Sequence, residues 1–106
     1  MEPLELSPSD VRSRLGADDL VLLDCREAEE LGSARIAGAM HVPMGDVPQR
    51  LPHLDPEKQY VVFCHKGQRS LSVAQFLRRQ DYGRVWSMRG GIDAWSAEVD
   101  PSVPRY

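Results

Sequence analysis

A chain of 106 residues can enclose one modest hydrophobic core, and its formal net charge of −3 argues against a nucleic-acid-binding protein. Hydrophobic residues make up 42% of the chain, but no apolar run approaches the ~20 residues that a transmembrane helix needs. The first ten residues have neither the basic segment nor the apolar run of a secretory signal. We therefore expect one domain over residues 1–106, with its core at about 4–96, in the cytoplasm and binding neither membrane nor nucleic acid.

The first predicted elements are a short strand, a helix and a buried strand. Residues 4–6 (LEL) read as a strand, Ser7 is a helix N-cap, and Pro8 occupies the first helical position of a helix that runs to about Leu15. Residues 20–24 (LVLLD) form an almost unbroken apolar run, which is typical of a parallel strand covered on both faces. This order of elements favours an α/β fold.

The rest of the chain continues the alternation. The predicted elements are a short helix at 26–34, a brief strand at 40–43, a proline-interrupted helical segment at 44–54, a buried strand at 60–64, an amphipathic helix at 70–80, a strand at 84–88, and a short helix opening at 90–95 before a proline-containing tail. The amphipathic helix places Leu71, Ala74 and Leu77 on one stripe. Strands that alternate with helices form parallel sheets, so we predict an open, mainly parallel five-stranded sheet with helices on both faces.

Cys64 lies where the buried strand ends and the amphipathic helix begins. In an open parallel sheet, ligands bind outside the carboxyl ends of the strands, where helix N-termini also converge. Gly67 lets the loop turn sharply, so that successive N–H groups point inward as an anion-binding nest. The nest, the helix N-terminus, Lys66 and Arg69 all favour a thiolate, and we expect the pKa of Cys64 to lie below ~8.5. The pattern predicts a reactive cysteine; simple packing is the alternative for a Cys at a strand end.

Metal chemistry is not indicated by the remaining candidate ligands. Cys25 and Cys64 are too far apart in sequence for a zinc motif, and no histidine stands at ligand spacing from either. We predict no metal site.

Four segments resemble one family. CHKGQRS at 64–70, directly after YVVF, resembles the Cys-x-x-Gly-x-Arg-Ser active-site loop of rhodanese-like sulfurtransferases. LLDCRE and ARIAGAMHVP are similar to that family's Asp-x-Arg-Glu and Gly-His-Ile-x-Gly-Ala-x-Asn-Ile-Pro segments, and VWSMRGGIDAW to its closing Gly-Gly-x-x-Ala-Trp. The chain departs from the family's pattern at Ala34, Arg35, His41 and Asp81, none of which belongs to the cysteine loop. The resemblance spans roughly Leu4 to Trp95.

The resemblance implies a sulfurtransferase that works through a persulfide. The Cys64 thiolate attacks the outer sulfur of a donor such as thiosulfate, and the bound sulfur passes to a thiophilic acceptor: cyanide, a small thiol, or a thiol-bearing protein. No cofactor is needed beyond the covalent persulfide. The expected substrate-binding residues are the rest of the loop: His65, Lys66, Gly67, Gln68, Arg69 and Ser70.

Several residues have weaker assignments. By resemblance, Asp24 and Arg26 border the pocket and support the loop through an ion pair. Ser70 either caps the helix or donates to the sulfur, and capping is the preferred interpretation. Cys25 stands where the family often has Val; we interpret it as a core residue, with resolution of the persulfide as a disulfide as the alternative. We interpret Trp86 and Trp95 as packing residues or residues at the rim of the pocket, and His53 as an exposed residue.

Two other functions stay open. Phosphatases related to this fold have five residues between Cys and Arg, whereas Cys64 and Arg69 enclose four, a loop better sized for sulfur than for phosphate. Phosphatase or arsenate reductase activity therefore ranks below sulfur transfer. A sulfur carrier or binding module without turnover is the other alternative, and a carrier would form the same persulfide.

Overall fold

Five parallel strands form one open sheet, in the order β1-β5-β4-β2-β3. The computed structural model describes residues 3–106. The strands are β1 Glu5–Leu6, β2 Leu20–Asp24, β3 Met40–His41, β4 Gln59–Phe63 and β5 Val85–Met88. Every strand pairing in the described part of the chain is parallel. The predicted five-stranded parallel sheet is confirmed, and β2 has the predicted bounds.

The helices are α1 Pro8–Arg14, α2 Val47–Arg50, α3 Gln68–Arg79 and α4 Gly91–Glu98, with 3₁₀ turns at Ala28–Gly32, Met44–Asp46 and Leu51–His53. The start of α1 follows the sequence signal, because the Ser7 hydroxyl oxygen accepts a hydrogen bond from the Asp10 N–H at 3.1 Å. The helix predicted at 26–34 is only a five-residue 3₁₀ turn. None of the helices found within residues 3–106 has both the length and the apolar character needed to cross a membrane.

Helices cover both faces of the sheet, as predicted. On one face, Val73, Ala74 and Leu77 of α3 pack against a cluster that includes Val62 of β4. On the other face, α1 and α4 pack against a cluster that includes the neighbouring β4 residue Val61. Consecutive strand residues point to opposite faces, which is why an unbroken apolar strand can supply both clusters.

One detail of α3 differs from the prediction. Leu71 is only half-buried, and the buried positions of the helix are Ser70, Val73, Ala74 and Leu77. The stripe therefore includes a serine at its N-terminal end. A buried hydroxyl needs a hydrogen-bond partner, so Ser70 must meet polar atoms under the first turn of the helix.

The C-terminal segment that follows α4 folds back onto the domain. Val103 is buried in the cluster around α4, and Arg105 makes two hydrogen bonds to the Asp93 carboxylate, at 3.0 and 3.1 Å. These contacts lead residue 106 to the carboxyl ends of the central strands. The residues predicted to form a tail thus reach the edge of the sheet where ligands are expected.

Candidate active site

Cys64 is the first residue after β4 and lies beneath the N-terminus of α3. It is only 1% exposed. The loop from Cys64 to α3 turns at Gly67, whose φ of +106° is in the left-handed region, and an added Cβ at this residue would lie 3.1 Å from the Gly90 nitrogen. Glycine at this position therefore permits both the turn and the close packing of the loop against the chain before α4.

Backbone and side-chain donors of the loop converge on the Cys64 sulfur. The Gly67 and Ser70 N–H groups donate to Sγ at 3.1 and 3.3 Å, and Ser70 Oγ lies 3.4 Å from it. Ser70 Oγ also lies 2.8 Å from Ser87 Oγ of β5. When Cys64 is a thiolate, Ser87 can donate to Ser70, and Ser70 can donate to the sulfur. The interpretation of Ser70 as a helix cap is wrong, since Gly67 is the N-cap and Ser70 lies inside α3.

These contacts favour the charged form of the sulfur. The neighbouring Cys25 side chain and hydrogen bonds from Ser70 and Gly67 lower the pKa of Cys64 from 9.0 to about 4, against the opposing effect of burial. At neutral pH the thiolate form of Cys64 is therefore favoured over the thiol. The pKa of Cys25 changes in the opposite direction: it is strongly raised by its interaction with Cys64 and by burial. One thiol of the pair loses its proton readily and the other keeps it.

The N-terminus of α4 holds the backbone of the loop from below. The Ile92 N–H donates to the Cys64 carbonyl at 2.8 Å, and the Asp93 N–H donates to the His65 carbonyl at 3.1 Å. This approach requires glycine at position 91, where φ is +64° and an added Cβ would lie 2.4 Å from the His65 oxygen. The backbone at the Gly90-Gly91 pair thus contacts the cysteine loop.

Asp24 and Arg26 form a fully buried ion pair. Arg26 Nε and Nη2 donate to the two Asp24 carboxylate oxygens at 2.9 and 2.7 Å, and Arg26 is 0% exposed. Burial opposes the charge of Arg26, but the hydrogen bonds to Asp24 and to Tyr106 outweigh it and raise the pKa of the guanidinium. Arg26 also donates to the carbonyls of Glu30 and Ala34. The predicted ion pair is present, and it positions the 3₁₀ turn beside the loop.

Arg69 is bound by a carboxylate of that 3₁₀ turn. Its two terminal nitrogens donate to the two oxygens of Glu30 at 2.7 and 2.9 Å. The hydrogen bond from Arg69 is the largest of the influences that lower the pKa of Glu30 to about 2. Arg69 is predicted to favour the thiolate and to bind substrate, but Glu30 offsets its charge. Lys66 and Gln68 are exposed, and Lys66 remains the candidate cation of the loop.

The role of Tyr106 is visible only in the structure. Its ring stacks on His65 with centroids 3.9 Å apart and planes 6° apart, and its backbone oxygen lies 2.7 Å from His65 Nε2. Its hydroxyl accepts from Arg26 at 2.9 Å and donates to Glu30 at 2.8 Å. Tyr106 therefore links the loop to the ion pairs behind it.

Glu30, Ser87 and Tyr106 were not among the predicted site residues. Ser87 had a detectable signal, a single hydroxyl within the buried strand β5. Trp86 and Trp95 are buried packing residues, and His53 is exposed as predicted. Within residues 3–106, no three side chains among His, Cys, Asp and Glu are grouped to hold a metal ion.

Comparison with known proteins identifies the family. A family model described as Rhodanese-like domain matches residues 7–98 of the chain. This chain belongs to the rhodanese-like domain family. The predicted membership is confirmed, and the match includes the Cys64 loop and the Gly90-Gly91 contact beneath it.

Relatives of this rhodanese-like domain agree with that assignment over most of their length. The Bacillus subtilis protein YtwF is 38% identical over 102 residues, which cover 95% of this chain and 98% of YtwF. The thiosulfate sulfurtransferase GlpE of Coxiella burnetii is 35% identical, with 74% of each chain covered. A rhodanese-related protein from Thermoplasma volcanium has a solved structure that superposes with a TM-score of 0.83 at 26% identity, covering 92% of this chain and 94% of that one.

Proposed function

We propose that this rhodanese-like protein is a sulfurtransferase that takes sulfane sulfur from a small donor such as thiosulfate and passes it to a thiophilic acceptor through a persulfide on Cys64. The observation that carries the proposal is the Cys64 sulfur itself: a buried cysteine whose Sγ accepts hydrogen bonds from Gly67 and Ser70 and whose pKa is lowered to about 4. A stabilised thiolate at a helix N-terminus is the nucleophile that this reaction needs.

In the first step, the thiolate attacks the outer sulfur of thiosulfate. The new bond joins Cys64 Sγ to that sulfur, the bond between the two donor sulfurs breaks, and its electron pair leaves with sulfite. The three negative charges of the reactants are conserved as one on the persulfide and two on sulfite. No proton, metal or redox cofactor is required for this balance.

Electrostatic repulsion is the main obstacle to the first step. Two unit charges 4 Å apart interact by about 4 kcal/mol at an effective dielectric constant of 20, and a dianion meets this repulsion twice. The loop amides, the start of α3 and the exposed cation of Lys66 offset it. Arg69 contributes less, because Glu30 already neutralises it.

In the second step, an acceptor attacks the outer sulfur of the persulfide. With cyanide, a carbon–sulfur bond forms to the outer sulfur and the sulfur–sulfur bond breaks. Cys64 is regenerated as a thiolate, and thiocyanate is released. With a thiol acceptor, the product is a new persulfide on that acceptor. The donors that stabilise the thiolate also make Cys64 a good leaving group, since low-pKa thiols leave faster.

Intact-mass spectrometry tests the persulfide directly. Protein incubated with thiosulfate should gain the mass of one sulfur atom at Cys64, and addition of cyanide should remove it with formation of an equal amount of thiocyanate. Cys64→Ser should gain no sulfur and show no transfer, whereas Cys25→Ser should retain most of the activity. An equal loss in both variants contradicts the assignment of Cys64.

The same preparation separates the alternative functions. Hydrolysis of aryl phosphates at a rate comparable to thiosulfate:cyanide transfer would favour a phosphatase. A stable persulfide that forms on Cys64 without turnover in excess donor and cyanide would favour a sulfur carrier whose acceptor is a protein thiol.

A further inference from the structure

Cys25 and Cys64 are neighbours across the two central strands. The register of β2 and β4 pairs Asp24 with Phe63, and the Cys25 N–H donates to the Phe63 carbonyl at 3.0 Å. The pairing thus continues by one residue to Cys25 and Cys64. Residues in register on adjacent strands point to the same face, and the strands lie ~4.8 Å apart. Both cysteines belong to the same buried cluster, and each is 1% exposed.

The buried cluster that contains both cysteines offers few hydrogen-bond donors on the sheet side of the Cys64 sulfur. The other donors to that sulfur come from the loop and α3. Among the described residues of the cluster, the side chains with polar hydrogens besides the two cysteines are Tyr60 and Tyr82. Tyr60 donates to the Asp55 carbonyl, and Tyr82 shares its hydroxyl hydrogen between the Leu51 and Leu54 carbonyls. Cys25, which stands beside Cys64 in the strand register, is the remaining donor of this cluster.

We propose that Cys25 is a positioning residue whose S–H donates a hydrogen bond to Cys64 Sγ and holds the reacting sulfur as a thiolate turned toward the loop. The donor role requires Cys25 to keep its proton. The raised pKa of Cys25 meets this requirement: the interaction with Cys64 raises it most, followed by burial and the charge of Cys64, while Arg69 acts in the opposite direction. A thiol that stays protonated is a donor and not a second nucleophile.

The charged groups around the two thiols allow a clean measurement. The charges of Arg69 of α3 and Asp24 of β2 act on the Cys25 thiol, and each is held in an ion pair, with Glu30 and Arg26 respectively. His65 and Lys66 lie in the loop. Because the pKa of Glu30 is about 2, the Arg69 pair remains intact in a titration between about pH 3 and 8. A change in that range therefore does not come from loss of the Arg69 pair.

Two variants of the full chain, Cys25→Ala and Cys25→Ser, form a matched pair. Both side chains are smaller than Cys by a similar volume, and only Ser has a donor. The rate of Cys64 alkylation by iodoacetamide and the ultraviolet absorbance of the thiolate are followed against pH. We expect Cys25→Ala to raise the midpoint by about one pH unit, a tenfold change in the acid constant, because a donor to a charged group is lost. Cys25→Ser should restore most of that shift.

The outcomes decide the proposal without reference to turnover, so a failure of the proposed sulfur transfer does not affect them. Equal shifts in both variants, or no shift in either, overturn it, because packing alone would then explain Cys25. If the small variants do not fold, as judged by circular dichroism, Cys25→Val and Cys25→Thr give the same comparison at larger volume. Formation of a Cys25–Cys64 disulfide with release of hydrosulfide, after incubation with thiosulfate alone, also overturns it, since Cys25 would then act as a nucleophile.

Discussion

Replacing Gly91 with alanine tests whether the start of α4 supports the cysteine loop. The added Cβ would lie 2.4 Å from the His65 oxygen and 2.5 Å from the Cys64 oxygen. Neither atom belongs to a flexible side chain, so the loop or α4 must move. Movement lengthens the hydrogen bonds from Ile92 and Asp93 to the two carbonyls. We therefore expect Gly91→Ala to lower the stability of the fold and to distort the loop.

Three effects contribute to the loss of stability in Gly91→Ala. A left-handed backbone costs a non-glycine residue about 1–2 kcal/mol. Steric overpacking adds about 1–3 kcal/mol. Weakening two hydrogen bonds adds about 0.5–1.5 kcal/mol for each. Because these contributions relieve one another as the backbone shifts, we expect a loss of about 3–6 kcal/mol, a large share of the ~5–15 kcal/mol that stabilises a typical domain.

Two other glycines provide controls. Gly38 also has a positive φ, +84°, but an added Cβ meets nothing within 4 Å, so Gly38→Ala isolates the backbone strain. Gly16 has neither a φ in the left-handed region nor a neighbour within 4 Å, so Gly16→Ala should be nearly neutral. The difference between the Gly91 and Gly38 variants then measures the contact with the loop.

Urea unfolding followed by fluorescence of the two buried tryptophans gives the three stabilities, and Cys64 alkylation at neutral pH reports on the loop. Gly91→Ala should be the least stable variant, with altered alkylation, followed by Gly38→Ala. A Gly91 variant no less stable than the Gly38 variant, with unchanged alkylation, would refute the reasoning, because α4 would then not constrain the loop.

Three further predictions concern charge and loop length. The lowered pKa of Glu30, about 2 against an ordinary 4.5, stabilises the fold above pH 4.5, and this contribution is lost as the pH falls toward 2. Since Arg69 is about one-third exposed, this contribution to the free energy of unfolding is about 1 kcal/mol. Urea titrations at several pH values should detect it in the wild type and not in Glu30→Gln. Lys66→Ala should lower kcat/KM for thiosulfate but not for a neutral sulfane donor, and added salt should shrink the difference between variant and wild type; equal losses with both donors contradict a charge effect. Inserting one glycine after Gly67 should lower thiosulfate:cyanide transfer, and unchanged transfer would show that loop length is not restrictive.

Much of the fold and the position of Cys64 follow from the sequence, because they depend on short-range patterns. The apolar run at Leu20–Asp24 coincides with the five residues of β2, and Ser7 with Pro8 marks the start of α1. The turn at Gly67 follows from the conformational freedom of one residue. Each of these features depends on hydrogen bonding and periodicity among residues close in sequence, so one segment carries all the information that it needs.

The partners of the loop were decided only by the tertiary structure. Glu30 neutralises Arg69 from 39 residues away, and Tyr106 reaches Arg26 across 80 residues. Cys25 was interpreted from sequence as a core residue, and its place beside Cys64 depends on the register of two strands. Such contacts arise when the parallel sheet brings strand ends to one edge and the C-terminal segment packs onto α4. They depend on packing between distant segments, which the pattern within any one segment does not encode.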